Sequence, residues 1–111
     1  MHEMSITSGI IDLCLEHAAG RRILSIDVEI GALTSVMPEA VEFCFEACCR
    51  DTLLEGATLN IFRIPGMGQC KECGAITTIM ELYGECQECR SSQMIITSGE
   101  ELRVREIEVE D

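Results

Sequence analysis

Four cysteines fall into two pairs, Cys70 with Cys73 and Cys86 with Cys89, each pair separated by two residues and the pairs by twelve. Two intervening residues let a tight turn aim both thiolates at one ion while pointing backbone N–H groups at the sulfurs, and a hairpin between the pairs would bring the second turn opposite the first. Gly74 after the first pair and Gly84 before the second supply permissive backbone for these bends. Four thiolates satisfy the tetrahedral preference of zinc and leave no open coordination position, so zinc here would be structural and would contribute to folding. A rubredoxin-like iron site and thiol–disulfide exchange are the competing uses of the same sulfurs. A redox pair normally opens a helix in a βαβ setting, which neither pair does.

A second donor set lies at the first residues. The imidazole of His2, its own backbone nitrogen and the α-amine of Met1 can close chelate rings on one ion, and nitrogens in a plane suit Ni(II) or Cu(II). On spacing alone, a histidine at position 2 is more often incidental. The remaining cysteines read differently: Cys14, Cys44 and Cys48 sit on apolar helix faces as small hydrophobes, and Cys49 is left open. His17 reads as a surface residue near a helix C-terminus, and the methionines as core filler. With two histidines in the whole chain and no nucleophile, base and orienting group in evident combination, the sequence does not read as an enzyme.

Composition limits what these groups could serve. A chain of 111 residues is long enough for one ordinary domain, or one small domain with a metal-held module. Twenty acidic residues against eight Lys and Arg give a formal charge of -12, so a phosphate backbone would be repelled, and nucleic acid is not an expected partner. No apolar run reaches the length of a membrane span, and the opening residues lack the basic and apolar regions of an export signal. A reduced, cytoplasmic setting follows as the expectation, and there paired cysteines usually mean metal or redox chemistry.

The elements that must position the donors can be read from periodicity. Residues 4–19 have helical spacing, with Met4, Ile11, Leu15 and Ala18 on one stripe and Ile6, Ile10, Leu13 and Cys14 beside it, and Gly20 as the stop. Ile23 to Ile30 alternates as a half-buried strand. Pro38 and Glu39 open a second helix running to about Arg50, predicted to be deeply packed because Ala40, Phe43 and Ala47 widen its apolar face. Ala57 to Ile64 reads as a second strand. Pro65, Gly66 and Gly68 mark a hinge into the cysteine-bearing stretch. Gln93 to Thr97 forms a short strand, and residues 102–109 a last one whose alternation shifts phase between Val104 and Ile107. The last strand has no partner in so small a module and should return to the first sheet. The expected fold is α+β: two helices on a small three-stranded sheet, formed by residues 1–64 plus 98–111, with a zinc-ribbon-like module inserted at 65–97.

The run Met1-His2-Glu3-Met4-Ser5-Ile6, the stretch Val28 to Leu33, Pro38-Glu39-Ala40-Val41, Glu55-Gly56-Ala57, both cysteine pairs and Ile107 to Glu110 together resemble the HypA/HybF family over the whole chain. That resemblance implies a nickel metallochaperone of hydrogenase maturation, working with the HypB GTPase and passing Ni2+ towards the NiFe hydrogenase large subunit. It implies His2 as nickel ligand, with the Met1 amine and the backbone nitrogens of His2 and Glu3 completing the set. The Glu3 side chain is the weaker candidate, for a partner contact or for orientation. Cys70, Cys73, Cys86 and Cys89 match the zinc (Zn2+) ligands. The residues before the first strand, Gly20 to Arg22, are a shorter linker than the family often carries, and the Cys48-Cys49 pair has no counterpart role. The alternative from another class is a zinc-ribbon protein-interaction module without transferable metal.

Overall fold

The computed structural model describes residues 3–111. Its elements are α1 (Glu3–Ala18), β1 (Ile23–Gly31), α2 (Pro38–Cys49), β2 (Thr58–Ile64), β3 (Met67–Cys70), β4 (Ile76–Thr78), β5 (Met94–Ser98) and β6 (Leu102–Val109). They form an α+β fold with two three-stranded sheets, ordered β2-β1-β6 and β4-β3-β5. The last strand does join the first sheet. The chain divides into two compact units: one holds the chain up to Glu29, Val36–Phe62 and Arg103–Asp111; the other holds Ile30–Ser35 and Arg63–Leu102. No helix among the described residues is long and apolar enough to cross a membrane.

In the first unit α1 packs on α2, and both helices bury one stripe. From α1 these are Ile6, Ile10, Ile11, Cys14 and Ala18; from α2, Val41, Cys44, Phe45 and Cys49; from β1, Ile23, Ile26 and Val28. The core is aliphatic and sulfur-bearing, with Phe45 its one ring. Two expectations fail for the same reason. Met4 and Leu13 of α1 are exposed, and α2 is not packed all round, since Phe43 is 85% exposed and Ala47 lies in solvent. A helix on one sheet can bury only one stripe, and the adjoining apolar residues are left outside.

Ala19 and Gly20 both take left-handed φ, 52° and 87°, and Arg21 N–H bonds the Ala18 carbonyl at 3.1 Å, so the short linker closes α1 by a two-residue left-handed cap. Arg22 is then tied twice, its carbonyl accepting from Glu110 N–H at 2.8 Å and its guanidinium donating to the Glu55 carbonyl at 3.0 Å. Pro38 begins α2 as expected, while Met37, a residue without a capping side chain, accepts from the Ala40 and Val41 N–H groups through its carbonyl. Half-buried residues of β6 are Val104, Ile107 and Val109, so the phase shift in the sequence is a shift in burial. On the outer side of the sheet Arg103 pairs with Glu29, Asn60 donates to Asp27 at 3.0 Å, and the Arg105 guanidinium lies 5.0 Å from the Phe62 ring centre.

In the second unit β3 is central, pairing antiparallel with β4 and β5. Residues 30–35 are held there by three backbone bonds: Gly31 N–H to Glu101 O, Ala32 N–H to Ile64 O and Leu33 N–H to Gly99 O, at 2.7 to 2.8 Å. Leu33 sits against two glycines. A Cβ on Gly66 would fall 2.9 Å from the Leu33 side chain and 2.5 Å from the Ile79 carbonyl, and one on Gly99 would fall 2.7 Å from Gly66 Cα. At Gly31 the approach is closer still, with a Cβ only 2.0 Å from the Gly99 carbonyl oxygen. Backbone cannot swing aside as a side chain can. Gly31→Ala should therefore destabilise the protein by about 3 kcal/mol or more in urea unfolding, the upper end of overpacking costs. Gly9→Ala, in α1 with nothing within 4 Å of the added methyl, should instead stabilise by about 0.5–1 kcal/mol.

Candidate metal centre

Each cysteine pair lies in a loop of the same construction. In the first, Cys70 N–H bonds the Ala75 carbonyl at 2.9 Å and Gly74 N–H bonds the Cys70 carbonyl at 3.0 Å. In the second, Cys86 N–H bonds Ser91 O at 2.8 Å and Arg90 N–H bonds Cys86 O at 2.9 Å. The residue after the second cysteine must turn left-handed in both. Gly74 does so at φ 77°, and Arg90 does so at φ 64°. Gly84, expected to serve the second bend, serves close packing instead: its Cβ position lies 3.3 Å from Ile79 Cβ. Laying the second pair over the first puts Arg90 where Gly74 stands, which was the available sign of its role. The hairpin is also placed differently from expectation: β3 and β4 carry the first loop at their tip, and it does not lie between the two pairs.

The four sulfurs of Cys70, Cys73, Cys86 and Cys89 all lie within 4.8 Å of one another. Cys70 to Cys89 and Cys73 to Cys86 are each 3.6 Å. A tetrahedral cage with Zn–S bonds of about 2.3 Å has edges of about 3.8 Å, so the donor set fits zinc in kind and in size. Cys70 and Cys86 are buried, Cys73 and Cys89 exposed. Backbone amides serve the buried sulfurs: Glu72 and Cys73 N–H donate to Cys70 Sγ, and Glu88 N–H to Cys86 Sγ, all at 3.4 Å.

Those donors bias the thiols unequally. The Cys73 N–H is the largest influence on Cys70 and, with that of Glu72, lowers its pKa to about 6. Cys86 is also lowered, chiefly by the Cys89 N–H. Their partners move the other way. At Cys89 the Ser91 N–H favours the thiolate, but the Cys70 sulfur, burial and the other sulfurs outweigh it and push the thiol up to about 12. Cys73 is raised although the Ala75 N–H favours its thiolate, because the Cys86 sulfur and burial prevail. Each 3.6 Å pair thus joins a thiol shifted towards ionisation to one shifted away from it. A divalent cation among them favours all four thiolates at once.

The other sequence candidates lie apart. Met1 and His2 are outside the described residues. Glu3 opens α1, half-buried, its carbonyl accepting from Thr7 Oγ1 at 2.7 Å. His17 is exposed in the last turn of α1. Cys14 and Cys44 are buried as expected, and so is Cys49, while Cys48 is only half-buried, its Sγ 3.2 Å from Met4 Sδ. Burial pushes the thiols of Cys14 and Cys49 up to about 11, which suits core packing and not ligation. Among the described residues, the four-cysteine cluster is the one grouping of three or more His, Cys, Asp or Glu that could hold a metal.

Known proteins of the same kind match along the full chain. A family described as hydrogenase/urease nickel incorporation, metallochaperone, hypA matches residues 1–109. The hydrogenase maturation factor HypA of Geobacter metallireducens is 53% identical over 110 residues, covering 99% of this chain and all of the relative. That of Geobacter sulfurreducens is 50% identical with the same coverage. The solution structure of the Ni metallochaperone HypA from Helicobacter pylori superposes with a TM-score of 0.68 at 32% identity, covering 98% of this chain and 97% of that one. The chain belongs to the HypA family of nickel-incorporation metallochaperones, which carry metal and are not enzymes.

Proposed function

We propose that this protein binds Ni(II) at its N-terminus and delivers it during maturation of NiFe hydrogenase, with a structural zinc ion in the four-cysteine cage. Cys70, Cys73, Cys86 and Cys89 are the zinc ligands. Nickel is the cargo, held by the Met1 amine, the His2 imidazole and the backbone nitrogens of His2 and Glu3. Residues 1–64 plus 98–111 make the nickel-binding domain and residues 65–97 the zinc-binding domain. The recipient is the hydrogenase large subunit, the working partner the HypB GTPase, and the setting the cytoplasm.

The observation that carries this reading is the geometry of the sulfurs. Four thiolates at tetrahedral spacing fill zinc's coordination and offer a partner no open position, so the transferable ion needs other donors. A terminal chelate supplies them in a form suited to transfer. Its ligands can be displaced one at a time by the thiolates of a recipient, whereas the cage holds its ion as part of the fold. Family membership along the chain makes nickel the cargo of choice.

Cys73→Ser removes one thiolate, and the variant should lose zinc on dialysis and lose amide dispersion in the second unit while far-UV circular dichroism still reports both helices. Stoichiometric zinc in that variant would count against the cage. Mild acidification should release nickel before zinc. An imidazole and an α-amine with reference pKa values of about 6.5 and about 8 must both shed protons to coordinate, so affinity should fall about 100-fold between pH 7.5 and pH 6, before any backbone nitrogen is counted. The most selective test extends the chain by two residues before Met1. That turns the amine into an amide, and nickel calorimetry should show the specific site gone while zinc content and helicity stay the same. His2→Ala should do likewise. An extended form with unchanged nickel affinity would move attention away from the N-terminus.

A further inference from the structure

The loop between β4 and the second cysteine pair displays apolar side chains that the fold does not use. Met80 is 84% exposed, Tyr83 92% and Leu82 47%, and Ile76 of β4 is 62% exposed. In a chain with one tyrosine, three phenylalanines and no tryptophan, the tyrosine has been left in solvent. The exposure does not come from a loosely tethered loop. Ile79 is buried and its N–H bonds the Gly66 carbonyl at 2.9 Å, Gly84 N–H closes a turn on Glu81 O at 3.1 Å, and Cys86 ends the segment in the metal cage. A surface held in shape before binding loses little entropy when a partner arrives.

Beside these side chains lies a cleft of about 490 Å3, lined by Met80, Glu81, Tyr83, Glu85 and Arg90. Its charge selects among the things an apolar tip could touch. Glu81, Glu85 and nearby Glu88 are exposed against the single Arg90, and a tetrathiolate zinc adds two further negative charges next door. Nucleic acid and anionic lipid headgroups would both be repelled. The geometry points to a docking site for a partner polypeptide that presents apolar side chains flanked by Lys or Arg. Its apolar groups would cover Met80 and Leu82, and its cation would lie over the Tyr83 ring within reach of Glu81 and Glu85.

The probe is a fluorescein-labelled amphipathic helical peptide of Leu, Ala and Lys, titrated into the zinc-loaded full-length protein by anisotropy, with amide shifts mapped by NMR. Shifts should centre on residues 76–90. The double variant Met80→Ser, Tyr83→Ala should weaken binding at least tenfold, and Glu81→Gln with Glu85→Gln should weaken it and flatten its salt dependence. Phe43→Ala, on a large exposed ring in the first unit, should leave it unchanged. Every substituted side chain is exposed, and retained zinc and unchanged circular dichroism confirm that the variants fold. The proposal is overturned by equal binding to the double variant, by equal binding of a peptide with Ser in place of Leu, or by shifts spread over the acidic surface at large. The outcome does not depend on where nickel binds, so its failure would leave the metallochaperone reading standing.

Discussion

Bringing four sulfurs within 4.8 Å of one another is unfavourable for the chain alone, because thiolates so close repel and thiols so close cannot all ionise. The opposite pKa shifts of Cys70 and Cys86 on one side and Cys73 and Cys89 on the other express that conflict. A dication would resolve it and supply stability that the second unit cannot find in apolar burial. Beyond Ile30, Ile79 and the two inner cysteines, that unit buries little. Both loops spend their backbone N–H groups on sulfur and on carbonyls of the same loop in the same pattern, so the cysteines are oriented by main chain and depend little on neighbouring side chains.

Away from the metal, the second unit is held by close backbone contact. Gly31, Gly66 and Gly99 meet with no room for a Cβ, and Leu33 fills the space beside them. β3 runs from Met67 to Cys70, so a single four-residue strand joins this glycine contact to the first cysteine of the cluster. One end of that strand is therefore fixed by packing, and a metal among the sulfurs would fix the other. A small fold without a large core gains a defined shape in this way.

Much of this could be read from residue order, because the signals were periodic or chemical. Alternation at Ile26, Val28 and Ile30 marked β1, Pro38 marked the start of α2, and the cysteine spacing marked the cage. What escaped had no local signal. Arg90 adopts a left-handed φ that its side chain does nothing to advertise, and only comparison with Gly74 exposes it. Gly84 looked like a bend residue because a glycine needed for packing and one needed for torsion are the same letter. Phe43 and Ala47 were placed inside because helical spacing defines adjoining stripes without saying which one the sheet will cover. For the same reason Cys48, expected inside, is only half-buried, while Cys49, which the spacing leaves open, is buried. Met1 and His2 carry the nickel reading by chemistry and family likeness, since they lie outside the described residues.

The account rests on two metals with separate donor sets: sulfur for zinc and nitrogen for nickel. X-ray absorption at both edges, on one untagged sample loaded with one equivalent of each ion, tests that division most directly. It predicts four sulfurs at about 2.3 Å around zinc and only nitrogen or oxygen neighbours around nickel. Sulfur in the nickel shell, or nitrogen and oxygen replacing sulfur at zinc, would contradict it.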